Sequence, residues 1–213
     1  ITIDYRVQKF IHKELSNYKA GSIVVIEVNS GEIIAMASNP DYDPNLITTK
    51  PNNDYWNLIS NNSLSPLTNR SIQGLYAPGS TFKMIVALAG LQKGVIDYNK
   101  TELCEGKIAF GDRLYHCWKK QGHGKMNLET AIKESCDVFF YELSKKIGID
   151  SIAKMAIKFG LAQQYNFGFE NEKKGIVPSI KWKKENLNQS WYAGETLNTA
   201  IGQGYLLATP LQL

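Results

Sequence analysis

Ser80 and Lys83 lie three residues apart in the segment Ala77–Lys83, just before a strongly apolar run. A serine hydroxyl becomes a good nucleophile when a neighbouring group accepts its proton. Residues three apart on a helix share one face, with Cβ atoms about 5–6 Å apart, so the Lys83 amine can meet the Ser80 hydroxyl. The spacing therefore predicts a serine nucleophile and a lysine base. The structural alternative is an N-cap serine followed by a solvated lysine.

The neighbours of this pair favour the chemical interpretation. Pro78 and Gly79 interrupt any preceding element, which predicts that Ser80 lies at a helix N-terminus. Unpaired N–H groups and the positive end of the helix dipole favour negative charge there. The run Met84–Leu91 is apolar almost all round, which predicts a helix inside a domain, where burial favours the uncharged form of an amine.

A second serine and a carboxylate occur together in Ser135-Cys136-Asp137. Ser135 is a candidate to relay a proton between Lys83 and a leaving amine. For Asp137 we expect an orienting role, toward Ser135 and the amide groups of a substrate, rather than the role of a base. An SxxK motif followed about fifty residues later by SxD or SxN resembles the penicillin-recognising serine acyltransferases.

A metal site is a further candidate, formed by Cys104, Cys117, His123 and Cys136. Three thiolates and one imidazole match a closed tetrahedral zinc site. The spacings are long and irregular, however, and there is no CxxC pair to hold two ligands together. A disulfide with one cysteine left free, or three small buried apolar side chains, are the alternatives.

Longer stretches make the resemblance more specific. They are Asn69–Lys83, Cys117–Gly124, Ala200–Tyr205 and Thr209–Gln212. With them the chain resembles the class B penicillin-binding proteins, and within that family the members that serve rod elongation. The resemblance is continuous from Ile1 to Leu213.

The resemblance implies an α+β chain with the penicillin-binding-protein transpeptidase fold, which is serine β-lactamase-like and combines a helical subdomain with an antiparallel sheet. It implies a D,D-transpeptidase that forms an acyl-enzyme on Ser80, cross-links peptidoglycan stem peptides and is acylated by β-lactam antibiotics. For the full-length protein it implies an inner-membrane anchor, a periplasm-facing catalytic domain, and a RodA-type glycan polymerase and elongation-complex proteins as partners. The competing interpretations are a β-lactamase and a non-catalytic penicillin-binding or zinc-stabilised scaffold.

One part of the family pattern is missing. Neither Lys-Thr-Gly nor Lys-Ser-Gly occurs, and the sequence stops shortly after Gly202-Gln203-Gly204. In the family, the corresponding strand lines the active site and supplies oxyanion-hole groups, and losing one such donor slows acyl transfer on the order of 10²–10³-fold. We therefore expect residues 1–213 to be a transpeptidase domain fragment that lacks its C-terminal strands and turns over inefficiently.

The resemblance also bears on the cysteines. Some rod-elongation members carry a zinc site built from two acidic residues, the histidine of a Gly-His-Gly and a cysteine inside the SxD motif. His123 and Cys136 match two of these positions, Cys117 replaces one acidic residue, and Cys104 falls near the other. A thiolate keeps the negative charge and suits zinc better than a carboxylate. The implied zinc is structural and fixes the SxD motif beside the nucleophile. The rival ligands are Glu105, Asp112 and His116.

Composition excludes some classes of function. The chain has 213 residues, 43% of them hydrophobic, which is enough for one substantial core and predicts a single domain. A net charge of +4 with interspersed signs gives no reason to expect nucleic-acid binding. The basic run Lys181–Lys184 predicts a solvated helical face, and contact with an acidic glycan or a membrane surface is the alternative. No apolar stretch approaches the roughly 20 residues that span a bilayer.

The remaining elements follow from periodicity. Tyr5–Leu15 predicts an amphipathic helix with Val7, Phe10, Ile11 and Leu15 on its apolar face, and His12 at the surface. Ser22–Val28 and Glu32–Ser38 predict a β-hairpin.

The other segments predict loops and helices. Asn39–Asn69 and Tyr165–Trp191 predict mostly loops, the second facing substrate. Lys145–Gly160 predicts two short helices broken at Gly148. A hairpin followed by helices is typical of an α+β fold.

Overall fold

The computed structural model describes residues 2–49, 52–166 and 168–213. They form two compact units. The first unit contains the residues up to Tyr76, together with Gln164–Lys173 and Thr209–Leu213. The second contains Ala77–Gln163 and Lys174–Ala208. The mixture of helices and antiparallel strands confirms the predicted α+β class.

The first unit is built on a helix and a hairpin. Helix α1 (Tyr5–Leu15) begins at Asp4, whose side chain accepts hydrogen bonds from the backbone N–H groups of the first turn. Strands β1 (Gly21–Ile26) and β2 (Ile33–Asn39) pair antiparallel, which confirms the predicted hairpin. A small apolar cluster joins them, consisting of Ile11 and Leu15 with Ala35 and Ala37.

The apolar face of α1 is narrower than predicted. Val7, Ile11 and Leu15 form a stripe of four-residue spacing that packs toward the hairpin. Phe10 is 62% exposed because a two-stranded sheet covers only that stripe, so its assignment to the buried face is wrong. His12 lies on the exposed side, as predicted, with Nε2 2.5 Å from Asp41 Oδ2.

The segment predicted as loop contains helices. They are α2 (Asn45–Thr48) and α3 (Asn53–Ser60), followed by α4 (Arg70–Gln73). The Asn52 side chain accepts hydrogen bonds from the N–H groups of Asp54 and Tyr55. The polar residues that predict a loop here therefore serve as a helix cap. A 3₁₀ turn at Pro210–Gln212 completes this unit.

The second unit carries the larger core. Its elements are a 3₁₀ turn (Gly79–Phe82), α5 (Lys83–Gln92), β3 (Glu102–Cys104), β4 (Lys107–Phe110), β5 (Arg113–His116), β6 (Gly124–Met126), α6 (Leu128–Lys133), α7 (Asp137–Ile147), α8 (Ile149–Lys158), α9 (Ile180–Leu187) and α10 (Ala193–Ala200). Strand β3 pairs with β6, and β4 pairs with β5. Helix α7 packs against α5 and α10, and its Val138, Phe139 and Phe140 side chains are fully buried.

Several predictions for this unit are confirmed and others are wrong. Helices α7 and α8 are separated at Gly148, whose φ of 79° ends the first helix, as predicted. The predicted loop Tyr165–Trp191 contains helix α9, and Lys183 on that helix is not solvated. Its side chain is 1% exposed and pairs with Glu195 of α10. Helix α5 is not apolar and buried all round, because Met84 lies on an exposed face.

Candidate active site and metal centre

Ser80 lies in the 3₁₀ turn that leads directly into α5, close to the predicted helix N-terminus. Its position is set by a close backbone contact, in which the Gly79 N–H donates to the Gly202 carbonyl at 2.9 Å. A Cβ atom at position 202 would collide with the Gly79 peptide, so only glycine fits there. The Gly202-Gln203-Gly204 segment therefore supports the residue that precedes Ser80.

The four predicted catalytic residues form one hydrogen-bonded chain. The Ser135 hydroxyl donates to Ser80 Oγ at 2.9 Å. Lys83 Nζ donates to Ser135 Oγ at 3.0 Å, to the Ser135 carbonyl at 2.9 Å and to Asp137 Oδ1 at 2.6 Å. Ser80 is exposed, whereas the Lys83 side chain is 3% exposed. The chain thus runs from a surface hydroxyl to a buried ion pair.

Ser135 reaches this position because of the way α6 ends. The Cys136 N–H donates to the Ala131 carbonyl, and the Ser135 N–H donates to the Ile132 carbonyl. This is the Schellman pattern, whose left-handed residue is usually glycine. Ser135 occupies that place with a φ of 51°. Its hydroxyl is thereby directed at Lys83 and Ser80, at the expense of backbone strain.

Asp137 is held at both carboxylate oxygens. Oδ1 pairs with Lys83, and Oδ2 accepts the Trp118 N–H at 3.0 Å. Asp137 is also the first residue of α7, where the helix dipole favours a negative charge. We expected Asp137 to orient Ser135 and substrate amides. In the structure, its direct partners are the lysine and a backbone N–H group.

Trp118 is the site residue that sequence reasoning missed. Its indole N–H donates to the Glu134 carbonyl at 3.0 Å, and its ring packs edge-on against His123 with centroids 5.2 Å apart. The available signal was its place directly after Cys117, inside a stretch that carries the family resemblance.

The predicted metal ligands converge beside this chain. Their ligand atoms all lie within 4.8 Å of one another, and the four residues are Cys104, Cys117, His123 and Cys136. Cys104 ends β3, Cys117 follows β5, and Cys136 is the N-cap of α7. The rival ligands lie outside this group, namely Glu105, Asp112 and His116. The cluster can hold a metal ion.

The protonation of the cluster fits a ligand role. All three cysteines are free and buried. Burial raises the pKa of the Cys136 thiol, and the neighbouring Cys104 and Cys117 sulfurs raise it further. A bound cation reverses this effect, because it stabilises the thiolate. Burial also lowers the pKa of His123 and so favours the neutral imidazole, the form that binds metals.

His123 is arranged as a ligand rather than as a general base. Its Nδ1 atom lies 3.5 Å from the sulfurs of both Cys104 and Cys117. Within the described ranges, its Nε2 atom is buried without a hydrogen-bond partner. Nδ1 is therefore the ring atom that faces the sulfurs and could coordinate an ion held by the cluster.

Comparison with known proteins decides the family. The penicillin binding protein transpeptidase domain family matches residues 21–213. The chain belongs to this family. Its fold is that of the penicillin-binding-protein transpeptidases: it superposes on penicillin-binding protein 2 from Helicobacter pylori with a TM-score of 0.94 at 40% identity, covering 99% of this chain and 40% of that one.

Two further similar proteins narrow the comparison within the transpeptidase family. The chain is 35% identical to the peptidoglycan D,D-transpeptidase MrdA of Escherichia coli K12, over 100% of this chain and 34% of that protein. A complex of penicillin-binding protein 2 with MreC from Helicobacter pylori matches with a TM-score of 0.93 at 38% identity, covering 99% and 39%. The chain thus spans about a third of the length of the curated relative. Among the described residues, no helix has the length and apolar character needed to cross a bilayer.

Proposed function

We propose that the chain is the catalytic part of a serine D,D-transpeptidase that cross-links peptidoglycan stem peptides through an acyl-enzyme on Ser80. The observation that carries this proposal is the hydrogen-bonded chain Ser80–Ser135–Lys83–Asp137. It joins an exposed nucleophile to a buried lysine, and a nucleophile of this kind needs such a base. We further propose that both units belong to one transpeptidase domain.

The acylation step follows from this geometry. To react, Lys83 must first give up its ammonium proton, and the donor directions of the hydrogen-bonded chain reverse. Ser80 Oγ then forms a bond to the carbonyl carbon of the penultimate D-Ala, while its proton passes through the Ser135 hydroxyl to the amine of Lys83. The bond from that carbon to the nitrogen of the terminal D-Ala then breaks. The departing amine takes up the proton by the same route. Asp137 stabilises Lys83 while it carries the proton.

The second step regenerates the enzyme. The amine of a neighbouring stem peptide attacks the ester carbon, an amide bond forms, and the bond between that carbon and Ser80 Oγ breaks. The proton that the attacking amine loses passes through Lys83 and Ser135 to Ser80 Oγ. A β-lactam presents a reactive amide to the same hydroxyl. Its ring opens on Ser80 and leaves a slowly hydrolysed ester, which agrees with the penicillin binding that the family name records.

We also propose that the thiol cluster binds zinc. With Zn–S near 2.3 Å and Zn–N near 2.0–2.1 Å in a tetrahedron, a sulfur and a nitrogen ligand stand about 3.6 Å apart. The His123 Nδ1 atom lies 3.5 Å from two of the sulfurs, which fits this geometry. The zinc ion supplies a structural crosslink. Cys136 would then be tied to β3 and to the residue after β5, which fixes Ser135 from one side.

The cellular setting is proposed by relationship. A relative of similar fold has been solved in complex with MreC, which suggests an elongation complex, and we propose a RodA-type glycan polymerase as a further partner. D-Ala-D-Ala stem peptides are displayed outside the cytoplasmic membrane. We therefore propose that the full-length protein faces the periplasm and is anchored in the inner membrane.

Labelling with a reporter penicillin tests the proposed function. The chain is incubated with the labelled drug and digested, and the modified peptide is identified by mass spectrometry. We expect one adduct on Ser80, lost in Ser80→Ala and retained in Ser63→Ala, a matched change at an exposed serine. An adduct that disappears within minutes would indicate a β-lactamase. A folded chain without an adduct would favour a non-catalytic scaffold.

A further inference from the structure

Trp118 has no task in the reaction just described, yet it is held firmly beside the reacting groups. Its side chain is 62% exposed, so it adds little to the core. It is nevertheless fixed by its indole N–H on the Glu134 carbonyl and by the edge-on contact with the ring of His123. These contacts fix the orientation of the indole without burying it, so they restrain the groups that Trp118 touches more than they add to the core.

Both hydrogen bonds of Trp118 end next to Ser135. The indole N–H donates to the carbonyl of Glu134, the residue before it, and this carbonyl at the end of α6 lacks an intrahelical donor. The main-chain N–H donates to the carboxylate of Asp137, two residues after Ser135. One residue therefore bridges the two sides of the turn that carries the relay hydroxyl.

That turn needs external support. Ser135 has a φ of 51°, in the left-handed region that disfavours side chains with a Cβ. Such a conformation persists only where the surroundings over-determine it. The two Schellman hydrogen bonds of Ser135 and Cys136 supply part of the restraint. The bridge from Trp118 supplies restraint from outside the helix.

We propose that Trp118 is a positioning residue, which holds Ser135 in its left-handed conformation by bridging Glu134 and Asp137. The structural part of this inference depends on the geometry alone. Its catalytic part rests on the proposed function, because a displaced Ser135 hydroxyl would no longer connect Lys83 with Ser80.

Hydrogen exchange tests the structural part. Trp118→Phe keeps an aromatic ring but removes the indole N–H, and it should lower the free energy of unfolding by no more than the roughly 1 kcal/mol of one hydrogen bond, because the ring itself is exposed. We expect the amides of Ser135 and Cys136 to exchange about fivefold faster, the effect of losing one hydrogen bond. Trp56→Phe, at another exposed tryptophan, should leave them unchanged. Equal exchange in Trp118→Phe and the wild type would overturn the proposal.

Acylation kinetics test the catalytic part. For Trp118→Phe we expect a several-fold slower acylation rate constant at saturating penicillin, with an unchanged dissociation constant for the non-covalent complex. If Trp118→Phe matches the wild type while Trp118→Ala binds the drug weakly, the indole acts as a surface for substrate, and the positioning role is rejected. If the wild type is never labelled, the proposed function fails, while the exchange experiment still decides whether the bridge exists.

Discussion

Lys83 Nζ lies 2.6 Å from Asp137 Oδ1, and the two side chains are only 3% and 14% exposed. Removing one member of a buried ion pair leaves the other charge without compensation and lowers stability on the order of 3–5 kcal/mol. We therefore expect Asp137→Asn to lower the free energy of unfolding by about 3 kcal/mol. The double variant with Lys83→Met should recover most of this loss. Urea unfolding of the single and double variants measures the coupling.

The exposed pair Lys181–Glu185 provides a control for these measurements on the Lys83–Asp137 pair. Its charged atoms are 3.8 Å apart and both side chains are largely solvated. Lys181→Met should change the free energy of unfolding by less than about 0.5 kcal/mol. Additive effects of the Lys83 and Asp137 substitutions would show that the two charges do not stabilise each other.

Lys83→Met should also abolish penicillin labelling of Ser80, because the proposed base is removed.

A comparison of two substitutions at Ser135 measures the strain in the backbone at that position. Ser135→Gly and Ser135→Ala both remove the hydroxyl, but only glycine adopts a φ of 51° without strain. We expect the glycine variant to be more stable than the alanine variant by about 1 kcal/mol in denaturant unfolding. Both should lose acylation of Ser80. Equal stability of the two variants would mean that the turn relaxes when the hydroxyl is removed.

Alanine substitutions at Gly202 and Gly204 distinguish the effect of a steric collision from the effect of a positive φ. Both have a positive φ, but a Cβ at 202 would collide with the Gly79 peptide, whereas at 204 the nearest atom is 3.6 Å away. Gly202→Ala should therefore lower the free energy of unfolding by at least about 1 kcal/mol more than Gly204→Ala. It should also slow labelling of Ser80, since Gly79 precedes the nucleophile. Similar labelling rates in both variants would argue against this support.

Metal removal tests the thiol cluster. Elemental analysis of protein purified without added metal should find about one zinc ion per chain, and a strong chelator should lower the melting temperature by about 5 °C or more. His123→Ala should lose the zinc. His12→Ala, at an exposed histidine, should retain it. A metal-free protein with an unchanged melting temperature, or a disulfide among the cysteines, would reject the zinc site.

Local patterns predicted the features that depend on neighbouring residues. Ser80 and Lys83 lie within one helical turn of each other, and the β-branched-rich runs on either side of Asn29-Ser30-Gly31 predict a hairpin from neighbouring residues alone. The candidate metal ligands could be identified because cysteine and histidine are scarce in this sequence. Their chemistry singles them out even though the chain brings them together from distant positions.

Features decided by distant contacts could not be predicted in this way. Lys183 belongs to a basic run typical of a solvated face, but Glu195 of α10 and the rings of Tyr192 and Tyr205 surround its charge. The strands β3–β6 are three or four residues long, too short for a clear alternation. Trp118 shows its role only through its two hydrogen bonds, which no spacing rule reveals.

Cys136 separates Ser135 from Asp137, so a member of the thiol cluster lies between two members of the hydrogen-bonded chain. A substitution at Cys136 would remove one sulfur from the cluster at the position that connects the relay serine to the carboxylate. If Ser80 reacts with β-lactams as we propose, a change at this position would alter acylation and the thiol cluster together.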